Sequence, residues 1–142
     1  MLSNFSFWIW GTIIAQWLTA VFHSLSFIAP AKPRNDTEKQ LIELISKYKI
    51  DMGGGIKRSY HHLFIGVSTC FTIIFILGGV MNLYFLKSDI NSQVWKGLLL
   101  IEIITYGIIF LLQVKFTFWP PIVVTGLVFL FLAGTYFFAK LP

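Results

Sequence analysis

The sequence predicts an all-α membrane protein, with four transmembrane helices in an antiparallel bundle and a short amphipathic helix in a cytoplasmic loop. Hydrophobic residues make up 56% of the 142 residues and charged residues 12%, whereas soluble domains carry roughly 25% charge. Four apolar segments also reach the length of about 20 helical residues that crossing a hydrocarbon core requires. The chain length allows one domain.

The predicted spans are bounded by prolines and interfacial aromatic residues. They cover residues 7–29, 63–86, 94–114 and 121–138. Pro30 and Pro33 follow the first span, and the Pro120-Pro121 pair suits the first turn of the fourth, where a missing N–H costs nothing. The first span lacks a basic leader and is too long for a signal sequence, so we expect Met1 to begin the mature chain.

Basic residues are concentrated in the one long connection, residues 30–62. They are Lys32, Arg34, Lys39, Lys47, Lys49, Lys57 and Arg58. The positive-inside rule predicts that this loop is cytoplasmic and that both termini lie outside. Lys57 and Arg58, just before the second span, are predicted to anchor lipid headgroups. Because basic loops explain the net charge of +5, we predict the lipid bilayer and no nucleic acid as a partner.

The loop carries the signature of a helix. Asn35 suits an N-cap, and Glu38 follows at the spacing of a capping box. Apolar residues then recur at helical spacing, at Leu41, Leu44, Ile45 and Tyr48. The pattern predicts an amphipathic helix over residues 36–50 that lies on the inner membrane surface and ends before Gly53-Gly54-Gly55. A docking helix for a partner protein is the alternative.

Polar and small residues recur at spacings of three and four within the spans, which places them on one face of each helix. They are Thr12, Gln16, Thr19, His23 and Ser26 in the first span; Ser68, Thr72, Phe75, Gly79 and Asn82 in the second; Glu102, Tyr106, Ile109 and Gln113 in the third; and Thr125, Val128, Leu132 and Thr135 in the fourth. Such stripes are typical of the interfaces between membrane helices, so they predict the core of the bundle.

Glu102 is a carboxyl group inside a span, about 12 Å from its start at 1.5 Å per residue. A charge at that depth costs at least ~2.5 kcal/mol. With alternating topology Gln16 lies at a similar depth, and Tyr106 is one turn away. We therefore predict an intramembrane polar cluster of Gln16, Glu102 and Tyr106. The cluster is either part of a proton or cation pathway, or a structural site in which Glu102, as a neutral acid, is hydrogen-bonded between helices or pairs with a neighbouring subunit.

Three histidines are predicted at one membrane boundary: His23 near the end of the first span, and His61 and His62 at the start of the second. Imidazoles at one depth can hold a metal ion or a haem, although an interfacial anchor is the alternative interpretation. No cofactor is predicted beyond this possibility. The sequence has no nucleophile–base–acid arrangement and no zinc signature, which weighs against an enzyme. Cys70, the single cysteine, has no partner for an intramolecular disulfide.

A family resemblance is carried by the first two spans and the loop between them. The residues concerned are His23, Pro33-Arg34-Asn35-Asp36, Ile42, Ile45 and Gly66-Val67-Ser68. Together they resemble a family of small, functionally uncharacterised bacterial membrane proteins with four predicted helices. Thr69-Cys70 stands here where that family is expected to have a Ser-His pair. The resemblance implies a four-helix topology and a bacterial inner-membrane location, and it implies no functional residues.

Three functions are therefore compatible with the sequence. The first is a non-catalytic accessory subunit of a larger membrane complex, in contact with other membrane subunits or with copies of itself. The second is a small proton- or ion-linked transporter that uses Glu102. The third is a haem- or metal-binding membrane protein that uses His23 with His61 or His62.

Overall fold

The computed structural model describes residues 4–28 and 32–141. Within them the chain forms α1 (Phe5–Ile28), α2 (Asp36–Lys47), β1 (Lys49–Asp51), β2 (Lys57–Ser59), α3 (Tyr60–Lys87), α4 (Ser92–Phe116) and α5 (Trp119–Phe137). The helices α1, α3, α4 and α5 are long and apolar enough to cross a membrane. The prediction of four apolar helices is thus confirmed, and they fit a small multi-pass integral membrane protein.

Asparagine side chains cap the N-terminal ends of α2 and α4. The Asn35 side chain accepts a hydrogen bond from the Glu38 backbone N–H at 2.8 Å, and Asn91 does the same for Val94 at 2.9 Å. These contacts satisfy donors that have no partner within the helix. Pro120 and Pro121 occupy the first turn of α5. The helix α3 begins at Tyr60, three residues before the predicted second span.

The loop helix is shorter than the predicted 36–50 and is followed by a hairpin that the sequence analysis missed. The backbone of Tyr48 is extended, and β1 pairs antiparallel with β2, with Ile50 opposite Arg58. The three glycines form the turn, at φ values of 92°, 62° and 79°. Such values favour glycine, so these residues reverse the chain instead of merely ending a helix. Asp51 stabilises the turn by accepting from the Gly53 N–H at 2.8 Å.

The helices pack in the order α3, α1, α5, α4, with α1 between α3 and α5. The residues of the predicted stripes that are buried are Thr12, Gln16 and Thr19 on α1; Thr72, Phe75, Gly79 and Asn82 on α3; Glu102 and Tyr106 on α4; and Thr125, Val128, Leu132 and Thr135 on α5. His23, Ser68, Ile109 and Gln113 lie toward helix ends and are half-buried. The side chain of Ser26 lies outside the described residues. The stripes therefore form most of the core.

Glycines bring these helices close together by admitting aromatic rings. A methyl group at Gly134 of α5 would overlap with the ring of Trp8, and one at Gly11 of α1 would overlap with the ring of Phe131. The same overlap would occur between Gly79 and Trp17 and between Gly78 and Tyr106, while Phe129 and Phe110 would be in tight contact with a methyl group at Gly107 and at Gly126, respectively. Small residues at such positions allow the close approach from which membrane helices gain packing energy.

Candidate functional site: a buried polar cluster

Asn82 lies at the centre of a polar cluster formed by three helices. Its Nδ2 group donates to both carboxyl oxygens of Glu102, at 3.0 and 2.8 Å, and to the Oε1 atom of Gln16 at 3.2 Å. Gln16 and Asn82 are completely buried and Glu102 is 7% exposed. The amide of α3 thus links α1 to α4 in the interior of the protein.

Tyr106 completes the cluster one helical turn from Glu102. Its hydroxyl group donates to the backbone carbonyl of Ile74 on α3 at 3.1 Å. Gly78 makes this approach possible, because a Cβ atom there would overlap with the Tyr106 hydroxyl and lie 2.6 Å from the Gln16 Nε2 atom. The predicted residues Gln16, Glu102 and Tyr106 are therefore brought together around one point of α3.

Among the described residues, no cation pairs with Glu102; the ion pair that does form joins Lys47 to Glu43, on α2. A carboxylate without a counterion is strongly disfavoured in apolar surroundings. The neutral acid is therefore the favoured form, and it adds an O–H donor to the cluster. The Oδ1 atom of Asn82 is buried and accepts no hydrogen bond from the described residues. Chemically, the Glu102 carboxyl group can hold or release a proton.

The three histidines are not brought together. His23 is hydrogen-bonded to the backbone of Ser68, and its ring packs against that of Phe71 at 4.8 Å between centroids. His62 is instead at the start of α3, where its Nδ1 atom lies 2.6 Å from the Ser59 hydroxyl. Ser68 is six residues further along α3, or about 9 Å at 1.5 Å per residue.

Within residues 4–28 and 32–141, no three residues of the types His, Cys, Asp and Glu are grouped so as to hold a metal ion. The rings of His61 and His62 are 6.3 Å apart between centroids, at 70° to each other. These neighbours project in different directions from the first turn of α3. The geometry therefore gives no support to a site that joins His23 to either of them.

No family model, curated protein sequence or solved structure matches this chain. The resemblance to small four-helix bacterial membrane proteins therefore stays a prediction. The function has to be inferred from the geometry of the apolar helices and of the loop between α1 and α3.

The loop places Lys57 and Arg58 on β2, immediately before the first turn of α3. Both side chains are exposed, and an Arg58 guanidinium N–H donates to the Lys57 carbonyl at 3.1 Å. The two predicted headgroup anchors thus lie where an apolar helix begins.

Asn82 belongs to the cluster but is absent from the set predicted from the sequence, which places it only on the polar stripe of the second span. Gly78 lies beside Tyr106, and Asn82, one turn further along α3, reaches Glu102. The available signal was an amide on the polar stripe of one span and a carboxyl group on the stripe of the next.

Proposed function

We propose that this chain is a non-catalytic accessory subunit of a larger membrane complex. In this proposal it crosses a bacterial inner membrane four times, with both termini outside and residues 30–62 in the cytoplasm. Four apolar helices support the membrane location, and the basic loop supports the orientation. The buried polar cluster then serves to hold α1, α3 and α4 in register.

The observation that carries the proposal is the uneven burial of the four apolar helices. Of the most apolar stretch of α1, 44% is buried, compared with 22% for α3 and 17% for α4. The helix α1 therefore lies in the centre, while α3 and α4 present most of their surface outward. In a membrane, such faces contact lipid or the helices of other subunits.

Gly66 on α3 favours a partner helix. Six other glycines of the apolar helices receive an aromatic ring of this chain, whereas nothing lies within 4 Å of a Cβ atom built at Gly66. Its neighbours Val67 and Cys70 are exposed. Gly97 on α4 is similarly open. An open glycine on an exposed helix face admits the close approach of another helix.

The test is gentle solubilisation of native membranes, followed by purification and mass measurement of the intact particle. We expect other subunits to accompany this chain. A Cβ atom built at Gly66 or at Gly97 meets no other atom within 4 Å, so a loss of partners in Gly66→Leu or in Gly97→Leu identifies the contacting face. A particle that contains this chain alone, both in the native protein and in the variants, would contradict the proposal.

A small proton- or ion-linked transporter is the second candidate. It is favoured by the buried Glu102 carboxyl group, with which no cation among the described residues pairs. Carboxyl groups within a membrane are typical of proton and cation pathways. One four-helix unit offers little room for a pathway, so this candidate requires a homo-oligomer. The cluster would then bind the transported ion or proton between α1, α3 and α4.

Purified protein in liposomes separates the two candidates. In a transporter, Glu102→Gln abolishes ion-driven flux because the amide cannot release a proton, and Glu102→Asp retains part of the flux because the carboxyl group remains. Both variants should assemble as the native chain does. Native protein that gives no more flux than empty liposomes contradicts the transporter, and flux that is unchanged in Glu102→Gln contradicts the role of Glu102.

A further inference from the structure

The α2 helix, the hairpin and the first residue of α3 expose apolar side chains. We call this surface the loop platform; its residues are Leu41, Leu44, Tyr48, Met52, Ile56 and Tyr60, each 47% to 60% exposed. Leu41, Leu44, Tyr48 and Tyr60 also line one cleft, together with Ile45. Apolar clusters of this kind on an exposed segment mark contact with a membrane or a partner.

The exposed leucines of α2 lie on one face of this helix. None of its residues is buried, so the helix is not part of the core of the bundle. At 100° per residue, Leu41 and Leu44 share one face, while Ser46 and Glu43 lie on another. An exposed helix with one apolar and one polar face is typical of segments that lie in a membrane interface.

The loop platform is continuous with the apolar surface of α3. Tyr60 lines the cleft and is also the first residue of α3. Its ring stacks on that of Phe64 at 6.4 Å between centroids, and Phe64 and Val67 are 60% and 72% exposed. Lipid chains that cover the outer face of α3 would therefore reach the platform without crossing a polar gap.

The charges around the platform complement an anionic surface. Residues 32–59 contain seven basic and four acidic side chains. Three of the acids are engaged locally: Glu38 accepts from the Arg34 N–H at 2.6 Å, Asp51 accepts from the Gly53 N–H, and Glu43 pairs with Lys47 at 3.7 Å. Lys57 and Arg58 are exposed and come three and two residues before Tyr60 in the chain.

We propose that the loop platform binds anionic phospholipid, with an acyl chain in the cleft of Leu41, Leu44 and Tyr60 and the headgroup phosphate held by Lys57 and Arg58. The proposal rests on the membrane location of the chain and does not depend on the accessory or transport role. Tyr48 and Tyr60 suit this position, because their rings are apolar and their hydroxyl groups reach the headgroup layer.

The test uses the full-length protein in nanodiscs of phosphatidylcholine, with or without phosphatidylglycerol. Cys70→Ser removes the native thiol, and Leu44→Cys then carries an environment-sensitive fluorophore on the platform. Ser46→Cys is the matched control, because Ser46 is exposed on the polar face of the same helix. Emission wavelength and quenching by lipid-borne spin labels are recorded for both positions.

We expect the probe at residue 44 to emit at shorter wavelength and to be quenched by lipid, more strongly in the discs with phosphatidylglycerol, while the probe at residue 46 stays in water. Lys57→Gln and Arg58→Gln should each lower the ratio of docked to undocked platform about fivefold. The proposal is overturned if the probe at residue 44 stays in water in both kinds of disc. It is also overturned if the platform docks equally in both kinds of disc, or if a protein partner shields the probe from both lipid and water.

Discussion

Replacement of Asn82 by leucine tests whether the polar cluster holds the helices together. In the structure one amide group of α3 donates to Glu102 on α4 and to Gln16 on α1. Leucine has the same branching of heavy atoms as asparagine but no polar atom, so the variant removes the hydrogen bonds at this completely buried position. The acceptors on Glu102 and Gln16 remain buried without this donor.

The magnitude follows from these contacts. Hydrogen bonds between membrane helices contribute about 0.6 kcal/mol on average and at most about 1.7 kcal/mol. A buried polar group left without a partner costs about 1–3 kcal/mol. We therefore expect Asn82→Leu to lower the free energy of unfolding by about 2–4 kcal/mol. In the double variant Asn82→Leu/Glu102→Leu, the loss should be smaller than the sum of the two single losses by about 1–2 kcal/mol.

Reversible unfolding in mixed micelles, with increasing dodecyl sulfate, measures these free energies. Trp95 is a suitable intrinsic probe, because it is 1% exposed and packs edge-on against Phe5 at 5.0 Å. Thr105→Val is the matched control: Thr105 is exposed and its hydroxyl group donates to Ile101 of its own helix at 2.9 Å. Losses that add to within about 0.5 kcal/mol in the double variant would refute the coupling.

Four other variants test the packing and the loop. Gly134→Ala should lower the free energy of unfolding by about 1–3 kcal/mol, because the new methyl group overlaps with the Trp8 ring. Gly97→Ala places its methyl group in open space and should change the free energy of unfolding by less than about 0.5 kcal/mol. Equal effects of the two variants would contradict the packing of aromatic rings on glycines. Gly54→Val should speed hydrogen exchange of the hairpin amides, because valine disfavours a φ of 62°; unchanged exchange would contradict the turn. Asn35→Ala should weaken α2 by about 1 kcal/mol, and unchanged exchange of the Glu38 amide would argue against the cap.

Much of the fold could be predicted from local patterns. Apolar segments of sufficient length identified the four long helices, and the Asn35 cap located the start of α2. The spacing of Thr12, Gln16 and Thr19 identified the buried face of α1. These features depend on helix geometry and on the transfer of side chains out of water, which act within one segment.

The loop shows where local patterns were insufficient. Leu41 and Leu44 correctly indicated an amphipathic helix, but Tyr48 continued the same spacing without being helical. Strand pairing between Ile50 and Arg58 is a contact across the glycine turn, and periodicity within one segment does not report it. The Gly53-Gly54-Gly55 run was the signal, since three glycines supply the positive φ values of a chain reversal.

The sequence by itself determined that Glu102 is unusual, because a carboxyl group within an apolar segment has a cost that any fold must meet. It also determined which face of its own helix each of the residues Gln16, Asn82 and Tyr106 occupies. Only the tertiary structure decided that Asn82 donates to Glu102 and that His23 packs against Phe71 away from His62. The physical reason is that the axial register between two helices depends on which aromatic ring of one helix packs against which glycine of the other. Such a contact depends on the sequences of both helices, so the pattern within one helix does not determine it.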